Sequence, residues 1–520
     1  MLVIASGEYV ETELSAEFGR IPPAFLPVGN KRLYTYQIGQ LESRHETIWM
    51  TLPDDFELDE ADRRDLAQRG VRLFRTCTGV SLGAAMRAFL RTTAITGAVD
   101  ILYGDTLIAD APVGGTDWLA IGDSDENYHW HQEAARNGRP GGTWCGMFSF
   151  SNAERLCAHL DDQKEFIPAV TAYGQSTGHW QHRVVDKWMD FGHIHTYFDS
   201  KREITTQRHF NHLRVANGVL TKSSIDARKM AAEADWFEQA PASVKPFLPG
   251  YIARKENAPS GYVLEYMHLA ALNELYVFGR LPQRVWKKIF AACNTYLDTA
   301  SRVPLPAKSF DNGARATYYD KTAARLLQFS QQADIDLDRA WSFNGLATPS
   351  LRVMSQQAAH TVLRNPDAAS FIHGDLCFSN ILFDFRAGRI KIIDPRGLDA
   401  QGNATAFGDM RYEIGKLAHS VIGLYDFIIA GFFDLEISND AVQFVVHGNR
   451  IDPVKALFLN TEFLGRRPAS WDCHPIMLLL FLSMLPLHAD DPRRQQALMA
   501  NCLRIYLDWT NDHHPNGWAE

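Results

Sequence analysis

The stretch SFIHGDLCFSNILFDFRAGRIKIIDPRG, residues 370–397, decides how the second half of the chain is read. Two short apolar runs, ILF and IKII, read as strands, with Asp375 and Asn380 standing five residues apart ahead of the first and Asp394 closing the second. Phosphoryl transfer from ATP needs a carboxylate beside the acceptor hydroxyl, oxygen ligands for magnesium and a cation against the donor phosphates. Asp375 stands where the carboxylate is wanted, and Asn380 and Asp394 can supply the oxygen ligands. A single Asp, Asn or His in a loop is more often a cap or a hydrogen-bonded support. The ordered spacing of several of them is what points to chemistry.

Upstream, NHLRV and VLTKSS read as adjacent strands across an Asn217-Gly218 turn, and DARKMAAEADWFEQA as a helix that Pro241 stops. Lys222 ends VLTK and Glu233 lies on that helix, a spacing that fits a lysine positioned against ATP phosphates or an ordinary solvent ion pair. GYVLEYMHLAALNELYVFG passes from a strand through a connector to a helix, and Glu265 marks the connector where adenine would be held by backbone groups. From about 315 the chain is read as helical up to residue 370, and again from 397 to 510. The most apolar late run, IMLLLFLSMLPL, is too short for an ordinary membrane span and reads as a buried helix.

HGDLCFSN followed by IIDPRG resembles the aminoglycoside phosphotransferase and choline kinase family, a branch of the protein-kinase-like fold, over about residues 205–515. The resemblance implies that Asp375 accepts or orients the acceptor proton, that Asn380 and Asp394 hold magnesium on ATP, and that His373 braces the loop. FNHLRVANGVLTK departs from it, with one glycine, Gly218, in place of a glycine-rich phosphate loop. Asp409, Arg411 and Lys416 fit either an acceptor pocket or ties between helices. Arg396 fits either neutralisation of phosphate charge or bracing of the acidic loop.

The first two hundred residues alternate strand and helix patterns, as in a mostly parallel α/β domain. LVIASG, PPAFLPVGNKRLYTYQI, SLGAAM, ILYGDTLI, TWCGMFSF and KWMDFGH occur in the order of the sugar-nucleotidyltransferase family, and the chain resembles it over about residues 1–200. That resemblance implies that Asp105 and Asp190 converge on magnesium, that Gly83 lets a nucleotide base approach closely, and that a second NTP is used. Each also has a plain reading, as a strand end, a turn cap and a helix-start residue. Pro23 replaces the family's lysine, and Glu8, Glu11 and Glu13 fall where a triphosphate prefers donors or cations. Arg20 and Lys31 are the available substitutes.

The fold class expected is α/β, with a GT-A/Rossmann-like nucleotidyltransferase domain followed by a protein-kinase-like α+β domain. The expected boundaries are 1–205, 206–268 for the kinase-like N-lobe and 269–520 for its helical C-lobe. The 520 residues carry 46% hydrophobic and 22% charged side chains, an ordinary globular balance. With 61 acidic against 52 basic residues the net charge is -9, a poor basis for nucleic-acid binding. Seven scattered cysteines without CxxC spacing suit a reducing compartment, and the acid-bearing N-terminus is unlike a signal peptide. A cytoplasmic enzyme is expected, without stable membrane insertion and with a homo-oligomer allowed.

Its partners would be a small hydroxyl acceptor and the phosphorylated form of that acceptor. Its cofactors would be Mg2+, ATP as phosphate donor, and a second NTP. The economical pathway is phosphorylation of a sugar or small polar alcohol, then nucleotidyl transfer onto that phosphate. The fused order and motif wording resemble bacterial capsule-associated proteins. Two alternatives stay open: an active kinase with a degenerate nucleotide-sugar-binding front domain, and a nonenzymatic assembly protein.

Overall fold

The run Leu2–Ala5 is buried at every residue and lies between two parallel neighbours, Ile48–Pro53 and Val99–Tyr103, which is why it reads as unbroken apolar sequence. It opens a computed structural model describing residues 1–124, 128, 130–134, 141–204, 211–255, 257, 259–306, 313–365, 368–448 and 450–513. The chain forms two compact units, Met1–Thr205 with Phe278–Arg280, and Thr206–Val277 with Leu281–Glu520. The boundary expected at 205/206 falls in 205–210, outside the described residues.

In the first unit the main sheet runs, edge to edge, 181–184, 118–122, 142–150, 99–103, 2–5, 48–53 and 72–76. Its pairs are parallel except for Gly142–Phe150, which runs antiparallel to both neighbours. Val3, Ile101, Leu119 and Phe148 join Met86, Phe89, Leu160 and Tyr173, from the helices Leu82–Thr93, Ala153–Gln163 and Phe166–Thr177, in one buried cluster. A separate two-stranded pairing of Thr106–Ile108 with Trp188–Asp190 brings the chain after Asp105 alongside the chain ending at Asp190.

The second unit begins with a hairpin, Asn211–Ala216 and Val219–Ser224. Its turn residues Asn217 and Gly218 both have positive φ, 52° and 70°, the backbone that a tight two-residue hairpin demands. Gly261–Glu265 and Tyr251–Lys255 complete a four-stranded antiparallel sheet. The helix Ala227–Gln239 is capped by Asp226, which accepts from the Lys229 amide at 3.0 Å, and buries Met230, Trp236 and Phe237.

Further along, helices Lys321–Ala333, Leu351–Arg364, Met410–Val421 and Pro492–His513 pack around Cys473–Met484. Every residue from Cys473 to Leu482 is buried, as an all-round apolar helix requires in water. No helix among the described residues is long and apolar enough to cross a membrane. The helical reading up to residue 510 is corrected at Phe433–Ser438 and Ala441–Val446, an antiparallel hairpin turned at Asn439 and Asp440. This hairpin joins Trp341–Phe343 and Leu346–Thr348 in a four-stranded sheet. Half-buried and exposed residues alternate along FDLEIS, a two-residue period that a helix cannot present.

Candidate functional site

The strand Ala369–Phe371 pairs with Phe407–Asp409 and delivers the chain to His373, Gly374 and Asp375. Glu413, on helix Met410–Val421 and wholly buried, fixes this loop: the backbone N–H groups of His373 and Gly374 donate to its two carboxylate oxygens at 2.9 Å each. Burial raises the Glu413 carboxyl to about 7, against the lowering effect of those two donors. The His373 ring donates through Nε2 to the Ile393 carbonyl (2.8 Å) and accepts at Nδ1 from the Asp375 amide (3.2 Å). Burial drops its pKa to about 4, so the ring is neutral and acts as a brace between the loop and the strand leading to Asp394.

Asp375 faces Asn380 on one side and Lys416 on the other. The Asn380 amide donates through Nδ2 to the Asp375 carbonyl (2.9 Å) and carboxylate (3.0 Å), while the Lys416 ammonium lies 2.6 Å from the other carboxylate oxygen. Burial works against the Asp375 charge, but Lys416 outweighs it and holds the carboxyl well below its usual range. A carboxylate kept ionised in this way can orient a hydroxyl and accept its proton.

The Lys222 ammonium, on the hairpin strand, lies 2.7 Å from Glu233 and 3.1 Å from Asp394. Tyr262 also donates to Glu233 at 2.7 Å, so the ion pair sits in a hydrogen-bonded interior and not in solvent. Burial disfavours the Lys222 charge, but Asp394 and Glu233 offset it and its pKa is raised. Asp394 occupies the left-handed backbone region at φ 59°, which Asp tolerates better than most residues, and 41% of its side chain stays exposed. These donors suit magnesium. Asn380 commits its nitrogen to Asp375, while its amide oxygen accepts from the Ser379 hydroxyl at 3.5 Å and is a hard oxygen of the kind that ion takes.

Of the remaining candidates, Asp409 and Arg411 form a buried pair at 2.7 Å that also engages Tyr318 and Asp472 and ties helices together. Glu265 ends its strand and accepts from the Gly250 amide at 3.1 Å. Arg396 packs along Gly374, where an added Cβ would stand 2.9 Å from its own Cβ, and reaches the Tyr412 hydroxyl at 3.4 Å. Sequence reasoning missed Glu413, Lys321 and Arg325, and left open the contact of Lys416 with Asp375. The four-residue spacing of Lys321 and Arg325 was the only signal for that pair.

In the first unit Asp105 and Asp190 converge: a Cβ added at Gly192 would meet Asp105 Oδ2 at 2.7 Å and Asp190 Oδ1 at 3.3 Å. Burial, then the Asp190 charge, raises the Asp105 carboxyl, the mark of two acids sharing one space. Thr196 donates to Asp190 at 2.5 Å and the His193 ring stands 3.0 Å from it. The two carboxylates supply hard oxygens, and a cation between them would relieve their repulsion, so they fit a divalent metal. Among the described residues no group of three or more His, Cys, Asp or Glu side chains is arranged to hold a metal ion. Arg20 pairs with Asp55 at 2.9 Å and lies over the Tyr9 ring, while Lys31 lies over Tyr36. The close approach at Gly83 is made by backbone, the Lys164 carbonyl oxygen standing 2.3 Å from where a Cβ would be, which accounts for the glycine by helix packing. Glu8 accepts from the Gly79 amide, and Glu11 adds its charge to the field at Asp105.

No protein-family profile matches the chain, and no curated protein sequence matches it. Solved structures show weak similarity to a nucleotide-sugar-transferase-like fold at the N-terminal end and to an aminoglycoside-phosphotransferase and choline-kinase-like fold at the C-terminal end. A nucleoside-diphosphate-sugar pyrophosphorylase from Vibrio cholerae RC9 is 12% identical over 39% of this chain and 100% of its own, with a TM-score of 0.34. The GDP and kanamycin complex of APH(2")-IIia is 14% identical over 59% of this chain and 92% of its own, at 0.36. Choline kinase from Cryptosporidium parvum Iowa II is 13% identical over 60% of this chain and 89% of its own, at 0.35. By its own sheets and helices the chain is a mixed α/β protein of two structurally distinct regions.

Proposed function

We propose that the second unit is an ATP-dependent phosphotransferase acting on a hydroxyl of a sugar or small polar alcohol. The observation that carries this reading is the meeting of two groups: Lys222 spans Glu233 and Asp394, and Asp375 is held between Asn380 and Lys416. Asp375 takes the proton of the acceptor hydroxyl, Lys222 faces the donor phosphates, and Asn380 and Asp394 hold magnesium. Magnesium neutralises phosphate charge in such a site. Glu413 and His373 keep the loop in register without touching substrate.

The first unit, on the same reading, joins a nucleotide from an NTP to the phosphorylated acceptor, with Asp105 and Asp190 holding the metal. Arg20 and Lys31 stand in for the family's missing lysine. The nucleotide-linked product is a form in which building blocks of surface polysaccharides are activated, and that is the use proposed for it in the cytoplasm. The test of the kinase is ATP consumption by the full chain with a panel of small alcohols, followed by mass analysis of the product. Asp375→Asn is expected to lower turnover by about 10²–10⁴-fold, the contribution of a positioned base. An unchanged rate would refute the assignment.

A further inference from the structure

Next to Asp375 the second unit collects more positive charge than its own acids neutralise. Lys321 and Arg325 stand one turn apart on the helix Lys321–Ala333, Arg396 follows the Asp394 turn, and Lys416 comes from Met410–Val421. Lys416 is committed to Asp375 at 2.6 Å. Among the described residues Lys321 has no carboxylate partner, and Arg325 buries its Nη1 with no hydrogen-bond acceptor. Burial, and then the charges of Arg396, Lys416 and Arg325, push the Lys321 ammonium down to about 7, with Asp375 pulling the other way. Burial and Arg396 likewise lower Arg325. Unpaired cations crowded together at a buried site are costly unless something of opposite charge joins them.

The nearby acids do not fill that role. Glu413 spends both oxygens on backbone N–H groups, Asp409 is taken by Arg411, and Asp399 accepts from both the backbone and the side chain of Asn403. Arg396 lines a cleft enclosing about 530 Å³, the space at its open mouth included, together with Thr317, Tyr318, Gly374, Tyr412 and the acids Asp399 and Asp409. Thr317 lies four residues ahead of Lys321, so the helix wall continues from the cleft to the cations.

We propose that the acceptor is an anionic alcohol, carrying a carboxylate or a phosphate near the hydroxyl that is phosphorylated, and that Lys321, Arg325 and Arg396 hold this anion beside Asp375. The inference rests on the kinase reading of Asp375. The acceptor oxygen forms the new bond to the γ-phosphorus of ATP, the bridging bond to the β-phosphate breaks to release ADP, and the hydroxyl proton passes to Asp375. A cationic acceptor would add to the like charge already present. The cluster therefore selects against choline-like or aminoglycoside-like alcohols.

The experiment measures ADP release by the full chain with MgATP and four probes: glycerate for the carboxylate, glycerol phosphate for the phosphate, glycerol as the neutral match and choline as the cation. We expect turnover with at least one anionic probe at about tenfold or more the kcat/KM of glycerol, the discrimination one charge-assisted contact provides, and the better of the two anions identifies the source. Lys321→Met is expected to raise the KM for that acceptor about tenfold and to leave the KM for ATP within about twofold. Arg325→Gln, a gentler change in packing, is expected to act in the same direction, with thermal melting confirming that each variant is folded. Equal or better turnover of glycerol or choline overturns the inference and leaves the kinase standing. A KM change confined to ATP does the same, by assigning the cations to the donor phosphates. Absence of ADP release with every probe, with Asp375→Asn indistinguishable from the parent protein, overturns both.

Discussion

His373 is 1% exposed and neutral, with its two ring nitrogens committed to the Ile393 carbonyl and the Asp375 amide. Because its pKa falls from 6.5 to about 4 in the folded chain, the unfolded chain takes up the proton first as pH drops. The stability this residue contributes is whole above about pH 6.5 and is lost progressively down to about pH 4, a swing of about 3 kcal/mol. Glu413 works in the opposite sense: its carboxyl, raised to about 7, favours the folded state at low pH and loses that advantage as pH rises from its ordinary value of 4.5 to 7. The two effects overlap, so a comparison of variants separates them. Between pH 7 and pH 4.5 the urea midpoint of the parent protein should fall further than that of His373→Asn. Parallel falls would mean that the ring is solvated or charged. The nearness of Asp375 to Asn380, and the place of Asp394 just past the second strand, were legible because the three lie within one stretch of twenty residues whose spacing is itself the signal. The cation cluster was not legible, because residues 321, 325, 396 and 416 come from three separate segments whose meeting only the fold decides.

At the scale of elements, the helix Met410–Val421 carries both Glu413 and Lys416, and its seat on the core is therefore part of the geometry of the candidate site. It packs against Cys473–Met484 at Gly415, where an added Cβ would come within 2.4 Å of Ile476 Cγ2. Ile476 is fully buried and has little room to yield. Gly415→Val is expected to cost about 1–3 kcal/mol by overpacking and to lower the melting temperature. It should also lower kcat for ATP-dependent phosphorylation by more than the lost stability explains, because the displaced helix takes Lys416 away from Asp375. A variant that melts lower but keeps full kcat would detach the helix position from the chemistry. Element type was readable where one period dominated: VLTKSS, DARKMAAEADWFEQA and IMLLLFLSMLPL fold as the strand, helix and buried helix their patterns imply. The hairpin 433–446 was overlooked although FDLEIS alternates and Asn439-Asp440 is a turn pair, since apolar helical runs on both sides drew its residues into their period.

At the scale of the whole chain, the two units present two acid-lined sites whose proposed reactions are consecutive, one making a phosphate ester and the other consuming it. Such an assignment can be tested by separating the steps. With acceptor, MgATP and an NTP supplied together, Asp375→Asn should remove the nucleotide-linked product and restore it when the phosphorylated acceptor is added directly. Asp190→Asn should do the reverse, letting phosphorylated acceptor accumulate while pyrophosphate release falls. The reason lies in the pair itself. Asp105 and Asp190 are close enough that burial and mutual repulsion raise the Asp105 carboxyl, and a divalent cation binding between them would draw its free energy from relieving that repulsion. Neutralising Asp190 removes the repulsion and half of the ligand charge together, so it should weaken metal-dependent pyrophosphate release while leaving the first unit at least as stable to heat. Glu11, whose charge also reaches Asp105, sharpens the test. If the first unit handles a triphosphate, Glu11→Gln should raise its affinity for the NTP. If that substitution changes neither NTP binding nor pyrophosphate release, the acidic loop is not at a nucleotide site and the front unit serves recognition alone.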